Sequence, residues 1–230
     1  MTLRLATYNI HKFVGYDGKR DEARILRVIH AMNADVLAIQ EFVLEDESGN
    51  PAGVAAFAKR AGYHFIAQPI RRVTGMVQFN LLLTREPVRT HSLVGLPRNG
   101  MEPRGAIMAE LEAGGKNLQV AVSHLALTPG GRARQLTKLL ELGMSRSGGP
   151  FALLADLNTT FPWEPARALL DRTFPGQKKI ATYPSRFPIF ALDAIRIDPV
   201  GALRSVDVFR DGDAAHASDH LPLVAEIVLS

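Results

Sequence analysis

Apolar positions along this chain change their period from segment to segment, and the changes mark out its elements. LRLATYN at 3–9 reads as a strand, and Ile25, Val28, Ile29 and Met32 then recur at helical spacing over about 21–32. DVLAI opens a second strand at 35–40, so the first forty residues predict a strand, helix, strand unit. Pro51 opens a second helical stretch to about Ala61, followed by YHFIAQ, MVQFNLLLTR, VRTHSLVGL, GAIMAELEA and KNLQVAVSH, all strand-like. Five strands without an intervening helix predict an antiparallel meander, with a hairpin turn at Gly114 and Gly115. A helix over 131–145, the strand FALLAD, a short helix over 162–170, and the strands ALDAIRI, VDVFR and PLVAEIVL complete the pattern. So many strands, in mixed parallel and antiparallel pairing, favour two sheets packed face to face with helices outside.

No stretch of glycine, proline, serine or charge is long enough for a linker, and there is no internal repeat, so the 230 residues predict one domain spanning 1–230. The run Arg146-Ser147-Gly148-Gly149-Pro150 reads as a loop between a helix and a strand. A 47% apolar content supports a sizeable core.

The chain has no cysteine, which excludes disulfide scaffolds, thiolate-zinc sites and cysteine nucleophiles; any metal is held by oxygen or imidazole. The amino terminus enters a strand-like run directly, without secretory-signal features, and no apolar run approaches membrane-spanning length, so a soluble cytoplasmic monomer is the expectation. A net charge of +4 points only weakly to a polyanionic or phosphate-bearing ligand, because the arginines fall in small groups rather than one basic run.

Three polar clusters sit at the borders of these apolar runs: Gln40-Glu41 after DVLAI, Asp156-Leu157-Asn158 after FALLA, and Ser218-Asp219-His220 before LPLVAEIVL. Buried strands aim such residues out of the core into a crevice. A lone buried acid costs several kcal/mol unless it is paired or binds metal, so these clusters read as one divided site for a cation or a proton transfer.

In chain order, Thr7-Tyr8-Asn9, Gln40-Glu41, the run from Asn80 to Arg85, Ser123-His124-Leu125, Ala155-Asp156-Leu157-Asn158, Leu192-Asp193 and the run from Ser218 to Leu223 resemble the motifs of the endonuclease/exonuclease/phosphatase superfamily, which contains deoxyribonuclease-I-like enzymes, apurinic endonucleases, inositol-polyphosphate phosphatases and bacterial sphingomyelinases. Ala155 and Phe79 stand where the family usually has glycine, and Ser123 where it has threonine. Asn9-Ile10-His11-Lys12 and Tyr16-Asp17-Gly18 resemble a branch of small bacterial members.

The resemblance implies an α/β four-layer sandwich of two packed mixed sheets flanked by helices, and a divalent-metal-dependent phosphoesterase acting on diesters. It implies Glu41, with Asn9 and Asp219, as ligands for Mg²⁺ or Mn²⁺, hard cations that take oxygen donors. Asp156 would activate the water, Asn158 would donate to phosphoryl oxygens, and His220, oriented by Asp193, would bind or protonate the phosphate, with His124 on another oxygen. Asn80, Arg104 and His11 are expected to contact substrate, although Arg104 reads equally well as a surface arginine and Asn9 as a turn-capping amide. His30, His64 and His91 read as ordinary packing or surface residues, and His216 is undecided. The substrate is expected to be a nucleic acid, a phospholipid headgroup or a small diester, with no obligate protein partner. A non-catalytic module that binds a phosphorylated ligand is the competing class; it would normally have lost Glu41, Asp156 or His220, and all three are present.

Overall fold

The computed structural model describes residues 1–45, 50–73, 75–98, 100, 102–145 and 149–229, without the side chain of Val73. Strand β1 (Thr2–Asn9) leads through a short turn at His11–Phe13 into helix α1 (Glu22–Met32), whose amino end is capped by the Asp21 carboxylate accepting from the backbone N–H of Arg24. The chain returns along β2 (Val36–Leu44), which pairs parallel with β1 as the strand, helix, strand pattern predicts. Then come α2 (Ala52–Ala61), β3 (His64–Val73), β4 (Met76–Thr84), β5 (Val88–Gly95), β6 (Gly105–Ala113) and β7 (Lys116–His124). Helix α3 (Pro129–Met144), β8 (Phe151–Asp156), α4 (Pro165–Thr173), β9 (Asp193–Asp198), β10 (Leu203–Val208), the single turn α5 (Ala214–Ala217) and β11 (Leu223–Val228) finish the fold.

Two mixed sheets result, one of six strands in the order β10-β11-β1-β2-β4-β3 and one of five in the order β5-β6-β7-β8-β9. The five successive strands do not form one meander. β3 and β4 join the first sheet as a hairpin beside β2, and only β5, β6 and β7 make a meander, in the second sheet. Local alternation marks each strand but carries no information on which sheet receives it. The hairpin at Gly114 and Gly115 forms as expected, both residues having positive φ. The short helix starts at Pro165, later than expected, because Glu164 is engaged in capping-type contacts with the preceding turn. Residues 146–148 of the expected loop lie outside the described residues.

Strand alternation sorts the core into three layers. Ala6, Tyr8 and Ile39 face α1 and α2; Leu3, Leu5, Ala38, Val122, Leu154 and Ile195 fill the gap between the sheets; and Ala121, Leu153 and Ala194 face α3 and α4. The same parity continues to the strand ends. Asn9 follows Leu3 and Leu5, His124 follows Val120 and Val122, Asp156 follows Ala152 and Leu154, and Asp193 precedes Ile195 and Ile197, so all four polar side chains point into the mouth of the inter-sheet gap.

Candidate active site

Glu41 reaches this mouth by a different device. β2 does not stop at Gln40 as its apolar run predicts; it continues to Leu44, with a register shift between Ile39 and Phe42 and a positive φ of 58° at Glu41. The bulge re-aims Glu41 while Phe42 stays in the helix-side core, and a non-glycine residue in that conformation is strained by about 1–2 kcal/mol. A second strained stretch follows β1, where His11, Lys12 and Phe13 all have positive φ. This turn brings Lys12 Nζ to 3.6 Å from Glu41 Oε2 and His11 Nδ1 to 3.6 Å from Asp219 Oδ1.

Asp156 is central. Its Oδ2 accepts from Asn9 Nδ2 at 2.9 Å and lies 3.5 Å from His124 Nε2 and 4.0 Å from His220 Nε2, while Oδ1 accepts from the backbone N–H of Asn158 at 2.9 Å. Asn158, at φ 52°, donates its own amide to the Leu125 carbonyl and so pins the segment after β8 to the segment after β7. His220 Nδ1 meets Asp193 Oδ2 at 2.7 Å, and the same oxygen accepts from Thr182 Oγ at 2.6 Å. Ser218 donates to the Asn9 carbonyl at 2.7 Å, which fastens the last motif to the first.

Burial and neighbouring charge set the protonation states. Burial raises the Asp156 carboxyl above its ordinary value. His124 is pushed down to about 4, because burial outweighs the attraction of Asp156. Burial acts the same way on His220, but the charge and hydrogen bond of Asp193, helped by Asp156 and Asp219, overcome it and carry this imidazole up to about 10. Of the two histidines nearest Asp156, His220 is therefore cationic and His124 neutral at neutral pH. Burial also acts to raise Glu41, yet His124, Lys12, His11 and Asn9 together lower it, so it is ionised.

Two groups of residues offer themselves to a cation. Asp156, Asp193 and His220 bring one ligand atom each within 4.8 Å of one another, but His220 Nδ1 is already hydrogen-bonded to Asp193. Glu41 Oε2, by contrast, is buried without a hydrogen-bond partner, and it lies beside the amide of Asn9. An ionised oxygen with no hydrogen bond, 3.6 Å from Lys12 and beside a side-chain amide, suits a hard divalent cation.

The other expected contacts are less central. Asn80 is buried and donates to the Gly105 carbonyl at 3.2 Å, alongside Ser123 at 2.9 Å, so its amide ties the two sheets together. Gly105 has no room for a side chain there, since a Cβ would fall 2.5 Å from Gln68 Nε2. Arg104 is buried rather than on the surface. It is bonded to Glu102 at 3.2 Å, its Nε has no partner, and it borders a small cavity with Ala126, Leu127 and Thr128. His30, His64 and His91 are exposed, and His216 lies in α5, where its carbonyl accepts from the N–H of Tyr16. Sequence reasoning missed Thr182, Lys12 and the ring of Tyr183, which lies 5.0 Å from that of His220. Lys12 stood inside a recognised motif, whereas Thr182 and Tyr183 carry no linear signal.

A model of the Endonuclease/Exonuclease/phosphatase family matches residues 6–220. Among solved structures, an endonuclease/exonuclease/phosphatase from Beutenbergia cavernae DSM 12333 is 23% identical with a TM-score of 0.78, over 100% of this chain and 72% of that one. The human Nocturnin catalytic domain with bound sulfate is 18% identical at a TM-score of 0.74, over 100% and 94%. ANGEL2, described as a 2′,3′-cyclic phosphatase, is 15% identical at 0.69, over 98% and 95%. No curated protein matches the sequence.

Proposed function

Because the chain belongs to the endonuclease/exonuclease/phosphatase family, we propose that it is a divalent-metal-dependent phosphodiesterase built on residues 1–230 as one unit. The observation that carries this reading is the convergence of Asp156, the His220–Asp193 pair, His124 and Glu41, whose Oε2 has no hydrogen-bond partner, at one mouth of the inter-sheet gap. Asp156 accepts a proton from the attacking water as the new O–P bond forms and the ester O–P bond breaks. Its raised pKa makes it a better base than an exposed carboxylate, and Asn9 and the Asn158 N–H hold it in place. His220, kept cationic by Asp193, donates to a phosphoryl oxygen where negative charge builds up. Neutral His124 and the second N–H of the Asn158 amide, whose first is held by the Leu125 carbonyl, would add polar contacts, and Arg104 and His11 border the same mouth.

Glu41, Asn9 and Asp219 are the residues that would hold Mg²⁺ or Mn²⁺, which when bound supplies positive charge against the phosphoryl oxygens. The four carboxylates of Glu41, Asp156, Asp193 and Asp219 face the cationic side chains of His220, Lys12 and Arg104, a balance that suits a monoanionic diester better than a dianionic monoester. Hydrolysis of bis(p-nitrophenyl) phosphate against p-nitrophenyl phosphate, with Mg²⁺, Mn²⁺ or EDTA and Asp156→Asn protein as control, tests this. Metal-dependent diester cleavage that the variant lacks supports the proposal; no turnover of either ester with any metal favours a binding module.

A further inference from the structure

Among the described residues ten large apolar side chains are exposed, and six of them stand on the segments that carry the site: Tyr16, Leu127, Phe161, Trp163, Phe187 and Ile189. Their exposures run from 46% for Phe161 to 75% for Trp163. Tyr16 lies between His11 and α1, Leu127 three residues past His124, Phe161 and Trp163 just past Asn158, and Phe187 and Ile189 shortly before Asp193. Single exposed apolar residues are ordinary, but a group gathered round one opening marks a surface that meets something.

These side chains are held out from below. Buried Arg132 donates to the Leu127 carbonyl at 2.6 Å and pairs with Glu164, whose other oxygen accepts from the N–H groups of Thr160 and Phe161. Buried Arg167 donates to the carbonyls of Thr159 and Ala191, joining the Trp163 segment to the Ile189 segment. The Arg186 guanidinium lies 5.4 Å from the Tyr16 ring and 5.6 Å from the Phe187 ring, and so links the first and last segments.

Charge indicates the partner. Segments 125–128, 157–164 and 182–192 present no exposed carboxylate, since their only acid is Glu164, which is buried against Arg132; beside Tyr16, exposed Asp17 is paired with Arg24, while exposed Arg186 has no carboxylate partner among the described residues. Tryptophan and phenylalanine mixed with aliphatic residues and arginine on these three segments, without an unpaired acid, match the boundary of an anionic lipid surface. A single-stranded nucleic acid would need free ring faces and a track of cations. Here the rings of Phe161 and Trp163 cover each other at 4.7 Å and 11°, Leu127 and Ile189 have no ring, and Arg186 is the one cationic side chain exposed on the three segments.

We propose that this rim docks the mouth of the site onto an anionic phospholipid bilayer. The docking stands on the rim alone. Its corollary, that the ester cleaved is a lipid-headgroup phosphodiester, rests on the phosphodiesterase reading.

Trp163 is the only tryptophan in the chain, so its emission reports on the rim directly. With vesicles of phosphatidylcholine and phosphatidylglycerol, a blue shift and co-sedimentation are expected, both weaker with phosphatidylcholine alone or at high salt. The variant Phe187→Ser/Ile189→Ser is expected to lose vesicle affinity by about tenfold or more while hydrolysing a water-dissolved diester as before. The proposal is overturned if neither signal changes with vesicles, if the double variant binds them equally well, or if an oligonucleotide and not the vesicles perturbs Trp163. Vesicle binding without lipid cleavage, in protein that cleaves a dissolved diester, removes the headgroup corollary and leaves the docking intact. Vesicle binding with no turnover of any ester places the failure in the phosphodiesterase reading.

Discussion

Asn9 donates a 2.9 Å hydrogen bond to Asp156 although 147 residues separate them, and the two belong to different sheets. The site is therefore a seam. Its geometry depends on the apolar layer between the sheets bringing two strand ends to hydrogen-bond distance.

Replacing Asp156 with Asn should leave a folded protein that turns over diester roughly 10²–10⁴-fold more slowly. The melting temperature should hold or rise, because the substitution removes a carboxylate whose ionised form burial disfavours. Turnover and a thermal melt on the same preparation check both halves. An unchanged kcat takes Asp156 out of the water-activating role.

The two site histidines should titrate far apart in metal-free protein followed by NMR. His220, raised from 6.5 to about 10, adds stability that is complete below pH 6.5 and lost as pH rises through 10. His124, lowered from 6.5 to about 4, behaves in the opposite sense: its contribution is complete above pH 6.5 and lost as pH falls through 4. Asp193→Asn should bring the His220 midpoint down by removing the charge that opposes burial. A His220 midpoint unmoved by that change would mean that Asp193 does not hold its proton.

Glu41→Gly separates backbone strain from ligation. Glycine at φ 58° relieves about 1–2 kcal/mol of strain, so stability to urea should be kept or improved. Affinity for Mn²⁺, read by titration calorimetry, should fall by roughly tenfold or more. An unaltered isotherm would assign the cation to Asp156, Asp193 and His220 instead.

Arg132→Met strands Glu164, whose side chain is 3% exposed, without its counter-charge, and should cost about 3–5 kcal/mol in a urea melt. Adding Glu164→Gln should recover much of that loss, since no unpaired charge then remains. A single-variant loss below about 1 kcal/mol would indicate that water reaches the pair.

The strands that carry Asn9, His124 and Asp156 were legible in the sequence because each is a short run of fixed parity ending in a polar residue, and that parity depends only on neighbours one and two positions away. Helix α1 was legible from the spacing of Ile25, Val28, Ile29 and Met32, and α2 from the Pro51 that opens it. Glu41 was legible as a residue but not in its setting. Whether a polar pair ends a strand or bulges within it is decided by the partner strand, here β4, whose Phe79 pairs with Phe42 beyond the bulge. Thr182, Tyr183 and the Arg132–Glu164 pair had no signal at all, since their roles arise from contacts with segments remote in the chain or with the turn Glu164 caps.

The sequence by itself determined the elements, the ordered motifs and the side chains able to carry a phosphoester chemistry, because these follow from local period and residue type. Tertiary structure alone decided that β3 and β4 leave the meander for the other sheet, that one histidine is charged and its neighbour neutral, and that six apolar side chains on the segments carrying the site stand exposed. The physical reason is common to all three. Sheet membership, electrostatic environment and exposure are each set by what packs against a residue from elsewhere in the chain, and that is fixed only when the two sheets close on their shared core.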